Sequence, residues 1–309
     1  MSLKKLTVVI DETGVFQSTS NGFGVGAILF PEDRRNLLIK AAKEIAKLTG
    51  KDDFKYKRVQ RNSRARAEFI QTLQADGVQI YGFYSSESGV TQRIDRFNEV
   101  APLYQRVMLG NDRPVTEVLM DLFLGFAILP IVCHAMVNSY TADLYWDRRN
   151  DIEAIKCLVE KHIERCKTNP RLAEAEKAIR FAGQITGELN AVARLAGVLA
   201  GDLRLFFDSH GKKIWKYLDA DGLRTQADPY SANNLAASSR LVSARKELLA
   251  DPGPDNASEG TVMLQGYYQR FLRHAESKRN LISFCDPQGH MGLLEIEHGR
   301  LWHIRQSAD

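Results

Sequence analysis

The sequence predicts a mixed α/β protein, and three observations carry that expectation. Short β-branched runs such as Leu6-Thr-Val-Val-Ile10 alternate with segments whose apolar residues recur every three or four positions. The 309 residues are 44% hydrophobic and 26% charged, an ordinary globular balance with enough chain for a full core or for about two domains. Turn residues rather than low-complexity tracts separate the segments, which excludes a disordered or collagen-like chain.

Taken in order, Leu6 to Ile10 reads as a buried strand broken by the turn Asp11-Glu12-Thr13-Gly14, and Phe23 to Phe30 as a second strand. Acidic residues at 32 and 33, an apolar stripe at Leu37, Leu38, Ala41, Ile45 and Leu48, and the stop at Gly50 predict a helix. A polar basic stretch follows, then a helix over 63–75 capped by Ser63, then a strand over Val78 to Tyr84. The apolar run Val118 to Val137 is interrupted by Asp121, Pro130 and His134, which a membrane span would rarely carry together, so it reads as a buried helix.

Tyr140 to Trp146 is a strand ending at Asp147, Ile152 to Cys166 a one-faced amphipathic helix, and Ala178 to Ala182 a brief strand. Leu189 to Phe207 is a long helix whose Ala, Gly and Leu content suits close packing. Beyond 208 the texture turns to loops, at 228–234 and 251–256, with a helix expected from Thr261 to Lys278 and a terminal hairpin of Leu281 to Phe284 with Leu293 to Ile304. The expected organisation is therefore a domain over 1–207 and a C-terminal α+β extension over 208–309, a surface offered to a protein partner.

The whole chain carries +4, too little to mark a nucleic-acid binder by itself. Locally, residues 51 to 66 hold seven Lys or Arg against two Asp, a balance of +5, with Phe54 and Tyr56 interleaved. That mixture suits a phosphate backbone with a stacked base, and points to Lys55, Lys57, Arg58 and Arg61 as contacts to DNA or RNA. Asp11 and Asp147 both close strands, and side chains at strand ends of an α/β sheet face a shared crevice. Two such carboxylates can meet around a cation although 136 positions separate them. Alternation sets Asp143, Tyr145 and Asp147 on one strand face.

Cys285, His290, His298 and His303 cluster near the C-terminus, but their spacing fits no standard zinc site. No GxSxG, HExxH, Walker or Rossmann pattern is present, which disfavours those chemistries. Four cysteines without a CxxC pair, and no apolar leader after Met1, fit a reduced cytoplasmic location.

The order Ile10-Asp11-Glu12-Thr13-Gly14, the Gly-rich Phe23-Gly-Val-Gly-Ala-Ile-Leu29, Asp53-Phe54-Lys55-Tyr56-Lys57, Tyr145-Trp146-Asp147-Arg148 and Arg194-Leu-Ala-Gly-Val-Leu-Ala-Gly201 resembles the bacterial family catalogued as domain of unknown function 3800. The resemblance covers residues 6 to about 205. It implies a ribonuclease-H-like mixed sheet flanked by helices and a divalent-metal-dependent nuclease using Mg²⁺ or Mn²⁺. Carried over residue by residue, it makes Asp11, Glu12 and Asp147 the metal ligands, with Asp53 and Lys55 joining Asp11 and Asp147 in catalysis and Lys55 meeting a phosphate.

One departure matters: where the family's closing helix has Asp, this chain has Gly197. Asp202 lies about 140° around the helix from that position, Asn190 shares its face as a weaker ligand, and Glu188 precedes the helix. The departure raises a rival expectation, a catalytically lapsed relative that acts as a binding or scaffold subunit in a bacterial defence or mobile-element system.

Overall fold

The computed structural model describes residues 4–14, 22–89, 91–92, 115–147, 152–167, 169–209, 271–272, 274–276, 280–285 and 291–296. The expected loops at 228–234 and 251–256, most of the helix expected over 261–278 and the end of the terminal hairpin lie outside them.

A seven-stranded sheet runs through these residues in the order β5-β4-β1-β2-β3-β6-β7. Strand β1 (Lys4–Thr13) is central, antiparallel to β2 (Phe23–Pro31) and parallel to β4 (Tyr140–Trp146). On one side β3 (Gln79–Ser85) extends β2, and on the other β5 (Ile179–Gln184) runs parallel to β4. Strand β1 is longer than its apolar run: Asp11, Glu12 and Thr13 still pair with Gly26, Val25 and Gly24, and the chain turns only at Gly14, at φ +96°.

The sheet is covered on both faces. Val8, Ile10, Val25, Phe83, Leu144 and Trp146 face a layer made by α4 (Val115–Val137) and α5 (Ile152–Cys166), joined to β5 through the single turn α6 (Ala175–Ala178). Val9, Ile28, Ile80 and Tyr145 face the other layer: α1 (Arg35–Thr49), α2 (Tyr56–Arg61), α3 (Ser63–Leu73) and α7 (Leu189–Ser209). The run containing Pro130 is thus a core helix laid on β3 and β4, and among the described residues no helix is long and apolar enough to cross a membrane.

Local chemistry explains the segment that carries the basic residues. Helix α1 ends where Gly50 adopts φ +67° and its N–H donates to the carbonyls of Ala46 and Lys47. The cap of α3 is Asn62 rather than Ser63: its side-chain oxygen accepts from the Ala65 N–H at 3.0 Å while its amide donates to the Leu48 carbonyl at 2.8 Å. Asn62 therefore ties the end of α1 to the start of α3. The stretch between them is not a bare linker, since residues 56–61 form α2 with Val59 buried beneath it.

Helix α7 lies across β1, β2 and β3. Gly26 permits this approach: a Cβ there would stand 2.8 Å from the Ala196 carbonyl oxygen and from the Ala200 nitrogen, so only a glycine lets the helix backbone reach the strand.

Strand β6 (Asn280–Cys285) pairs parallel with β3, and β7 (Met291–Ile296) pairs with β6, so this part of the C-terminal extension continues the main sheet. Phe271, Leu272, Leu281 and Cys285 enter one face of the core, and Ile282 and Phe284 the other. The Asn280 side-chain oxygen accepts from the Ile80 N–H at 2.9 Å, fixing the register of that junction. Of the four residues considered for zinc, Cys285 is a buried core thiol, and His290, His298 and His303 lie outside the described residues.

Candidate active-site cleft

The parallel strands β1 and β4 end side by side, and register alone decides which side chains meet there. Ile10 pairs with Trp146, and the Asp147 N–H donates to the Ile10 carbonyl at 3.0 Å. Asp11 and Asp147 are thus neighbours at the carboxyl edge, and Asp11 projects to the α7 face with Val9. A cleft of about 560 Å³ opens between them and α7, lined also by Glu12, Thr13, Asp53, Lys55, Tyr56, Asn190, Arg194 and Gly197.

Asp11 is the electrostatic centre of this cleft. Burial pushes its carboxyl up from 3.8 to about 7, the charges of Asp147 and Glu12 push the same way, and the Glu12 N–H and Lys55 oppose them. The Glu12 N–H donates to Asp11 Oδ1 at 2.8 Å. The other oxygen, Oδ2, lies directly over Gly197, closer to where a Cβ would stand than van der Waals contact allows, with Cγ at 3.5 Å from that point. Gly197 is therefore the position of α7 that faces the Asp11 carboxylate.

The remaining residues proposed from sequence are placed unequally. Glu12, next to Asp11 on an alternating strand, turns to the other sheet face, where the Trp146 indole Nε1–H donates to its Oε2 at 2.5 Å. Asp53 and Lys55 stand exposed at the rim, their charges 3.3 Å apart. Lys57, Arg58 and Arg61 are exposed on α2 beside the cleft but do not line it. Of the two interleaved aromatics, Phe54 is only 1% exposed, part of the core on the α7 side of the sheet at the edge of the cleft, which removes it from base stacking; Tyr56 is half-buried, its Cβ 2.7 Å from where a Cβ on Gly201 would stand.

Arg66, one of the seven cations of the basic stretch, turns inward to pair with Asp202, whose side chain is 1% exposed. Asp202 is thus a structural acid outside the cleft, as its angle around α7 predicts, and Glu188 is not among the lining residues either. Asp143 shares a strand face with Asp147 but sits in the middle of β4, four residues before it, in a cluster with Lys5 at 2.9 Å and Arg180 at 2.8 Å that raises the Lys5 pKa, mainly through its hydrogen bond.

Sequence reasoning missed Arg194. It reads as part of an apolar helix, and only the packing of α7 decides that residues 190, 194 and 197 share the cleft-facing side. Arg194 makes no ion pair among the described residues.

Among the described residues no group of three or more His, Cys, Asp or Glu is poised around one point for a metal ion. The cleft carboxylates are Asp11 and Asp147 at the strand ends, with Glu12, whose Oε2 accepts from the Trp146 indole, and Asp53 beside Lys55 at the rim. Hard oxygen ligands of this kind suit one Mg²⁺ or Mn²⁺, which is commonly held by one or two carboxylates with water or phosphate completing the shell. No family model matches the chain, and no curated protein matches its sequence.

Proposed function

We propose that this chain is a nucleic-acid-binding protein of ribonuclease-H-like type that hydrolyses a phosphodiester with a divalent metal ion, Mg²⁺ or Mn²⁺, and works in the cytoplasm. The observation that carries the reading is the convergence of Asp11 and Asp147 in one cleft beside the exposed cations of α2. The sheet supports it at the level of fold, with a central first strand flanked by an antiparallel and a parallel neighbour and both acids at one edge. Four free thiols, three of them buried, suit a reducing compartment.

In this reading Asp11 and Asp147 hold the cation, and Lys55 at the rim meets a phosphate oxygen. The cation supplies Lewis-acid polarisation and a more acidic water. Water oxygen bonds to phosphorus, the phosphorus–oxygen bond to the leaving sugar breaks, the attacking water releases its proton to solvent, and the leaving oxygen takes one back.

Gly197 and the reliance on two strand-end carboxylates favour a second reading, a lapsed nuclease that serves as a binding or scaffold subunit in a bacterial defence or mobile-element system. Labelled single- and double-stranded DNA and RNA, incubated with Mn²⁺, Mg²⁺ or EDTA beside Asp11→Ala and Asp147→Ala, separate the two. Metal-dependent cleavage lost in both variants supports the nuclease; retention of nucleic acid without cleavage supports the subunit; neither cleavage nor retention overturns both.

A further inference from the structure

The nuclease reading leaves Arg194 without a role, and the inference drawn here rests on that reading. Arg194 stands on α7 one turn before Gly197 and one turn after Asn190, so all three face the cleft. Its surroundings leave its charge uncommitted. Asp53 already neighbours Lys55 and Asp202 holds Arg66, whereas no acid among the described residues pairs with Arg194.

Arg194 lines the same cleft as Asp11 and Asp147, and no hydrogen bond or ion pair joins it to either acid. The guanidinium thus shares a cleft of about 560 Å³ with the two acids, contributed from α7 where they come from the strand ends. An acid wall that can hold a cation, faced by an unpaired guanidinium, is a site for an anion that bridges the two. The fixed fork of an arginine matches a tetrahedral phosphate, which presents two free oxygens in a diester. The same helix has lost, at Gly197, the room and the ligand for a second cation, because Asp11 Oδ2 already stands where a side chain would begin.

We propose that Arg194 grips the free oxygens of a nucleic-acid phosphodiester in the cleft, supplying from α7 the positive charge that a second metal ion would bring, so that the site takes one divalent cation only. Arg194 is then a residue of the substrate site that touches the reacting phosphate, and the chain has an arginine in place of the second half of a two-metal clamp.

The test uses the full chain, a fluorescein-labelled single-stranded 20-nucleotide DNA and its RNA counterpart. Affinity is read by anisotropy in EDTA over a salt series, and bound Mn²⁺ is counted by electron paramagnetic resonance. Arg194→Gln is expected to weaken binding about tenfold or more and to reduce the slope of log affinity against log salt by about one, and Arg194→Lys to regain the slope but only part of the affinity. Wild type and Arg194→Gln are both expected to bind one Mn²⁺ per chain. Unchanged affinity and slope in Arg194→Gln, or two Mn²⁺ per wild-type chain, overturns the proposal.

The double variant Lys57→Gln with Arg61→Gln distinguishes this failure from failure of the underlying reading. If it loses affinity while Arg194→Gln does not, nucleic-acid binding stands and the Arg194 proposal falls. If the wild type binds neither probe, the nuclease reading falls and this proposal falls with it.

Discussion

Replacing Asp11 by Asn keeps the shape of the side chain and the oxygen that accepts the Glu12 N–H, but deletes a charge that the fold holds at a disadvantage. The folded carboxyl titrates near 7 against an ordinary 3.8, because of burial first and the neighbouring Asp147 and Glu12 charges second. Below about pH 4 the carboxyl is protonated in both the folded and the unfolded chain, and it contributes nothing. As pH rises towards 7 the unfolded chain releases the proton while the folded chain retains it, so wild-type stability falls. Above 7 the full penalty applies. At about 1.4 kcal/mol per pH unit the penalty is at most about 4 kcal/mol, and partial solvent contact brings it nearer 2. Urea unfolding of both proteins in EDTA should give equal stabilities at pH 4 and an Asn variant more stable by about 2–4 kcal/mol at pH 8.

If Asp11 holds the cation as proposed, adding Mn²⁺ should close most of that gap, because the Asn variant lacks the carboxylate ligand. A hundredfold excess over its dissociation constant stabilises wild type by about 2.7 kcal/mol and leaves the variant nearly unmoved. A stability difference independent of pH, or a variant less stable than wild type at pH 8, would refute the claim that the Asp11 charge is held against its own preference.

Gly197→Ala places a methyl group on Asp11 Oδ2. The carboxylate end can swing aside and alanine favours helix by about 1 kcal/mol, so thermal unfolding should move little while Mn²⁺ affinity and any cleavage fall sharply. Gly26→Ala meets the α7 backbone instead, which cannot swing; chemical denaturation should show a loss of about 1–3 kcal/mol, and an unchanged midpoint would mean that the helix is not seated as described. Arg66→Ala strips the guanidinium from a nearly fully buried Asp202 and should destabilise by about 3 kcal/mol, measured by the same unfolding curves; Arg61→Ala on exposed α2 should change stability by less than about 0.5 kcal/mol.

The strands and longer helices were legible because each carries its own period. Leu6 to Ile10 and Tyr140 to Trp146 are continuous or alternating apolar runs, and Ile152 to Cys166 repeats at helical spacing. Asp11 and Asp147 were legible for the same reason, since a carboxylate that ends a buried strand has few places to go. What escaped depends on partners distant in sequence. Helix α2 is six residues with one buried side chain, too short to show a period. Arg66 reads as one more cation of a basic run until Asp202, 136 positions away, is brought beneath it. Phe54 reads as an exposed aromatic among charges because nothing local says that it enters the core on the α7 side of the sheet. The pairing of β6 with β3 joins segments some 200 residues apart, and no local pattern specifies a parallel neighbour.

Helix α7 draws these separate facts together. Its small residues do two things at once: Ala196 and Ala200 lie against Gly26, which sets the helix down on β2, and Gly197 and Gly201 face Asp11 and Tyr56, which gives the cleft its floor. The depth of the packing and the position of the acid are therefore coupled. A helix seated this closely leaves no volume at 197 for an aspartate while Asp11 keeps its present place, so the glycine at 197 is built into the packing. Placing an acid there by Gly197→Asp would require either Asp11 to rotate or α7 to rise from Gly26. Only the second movement would carry Arg194, one turn along the same helix, with it. With the helix seated this closely, the cleft holds the Asp11 and Asp147 carboxylates and the Arg194 guanidinium together.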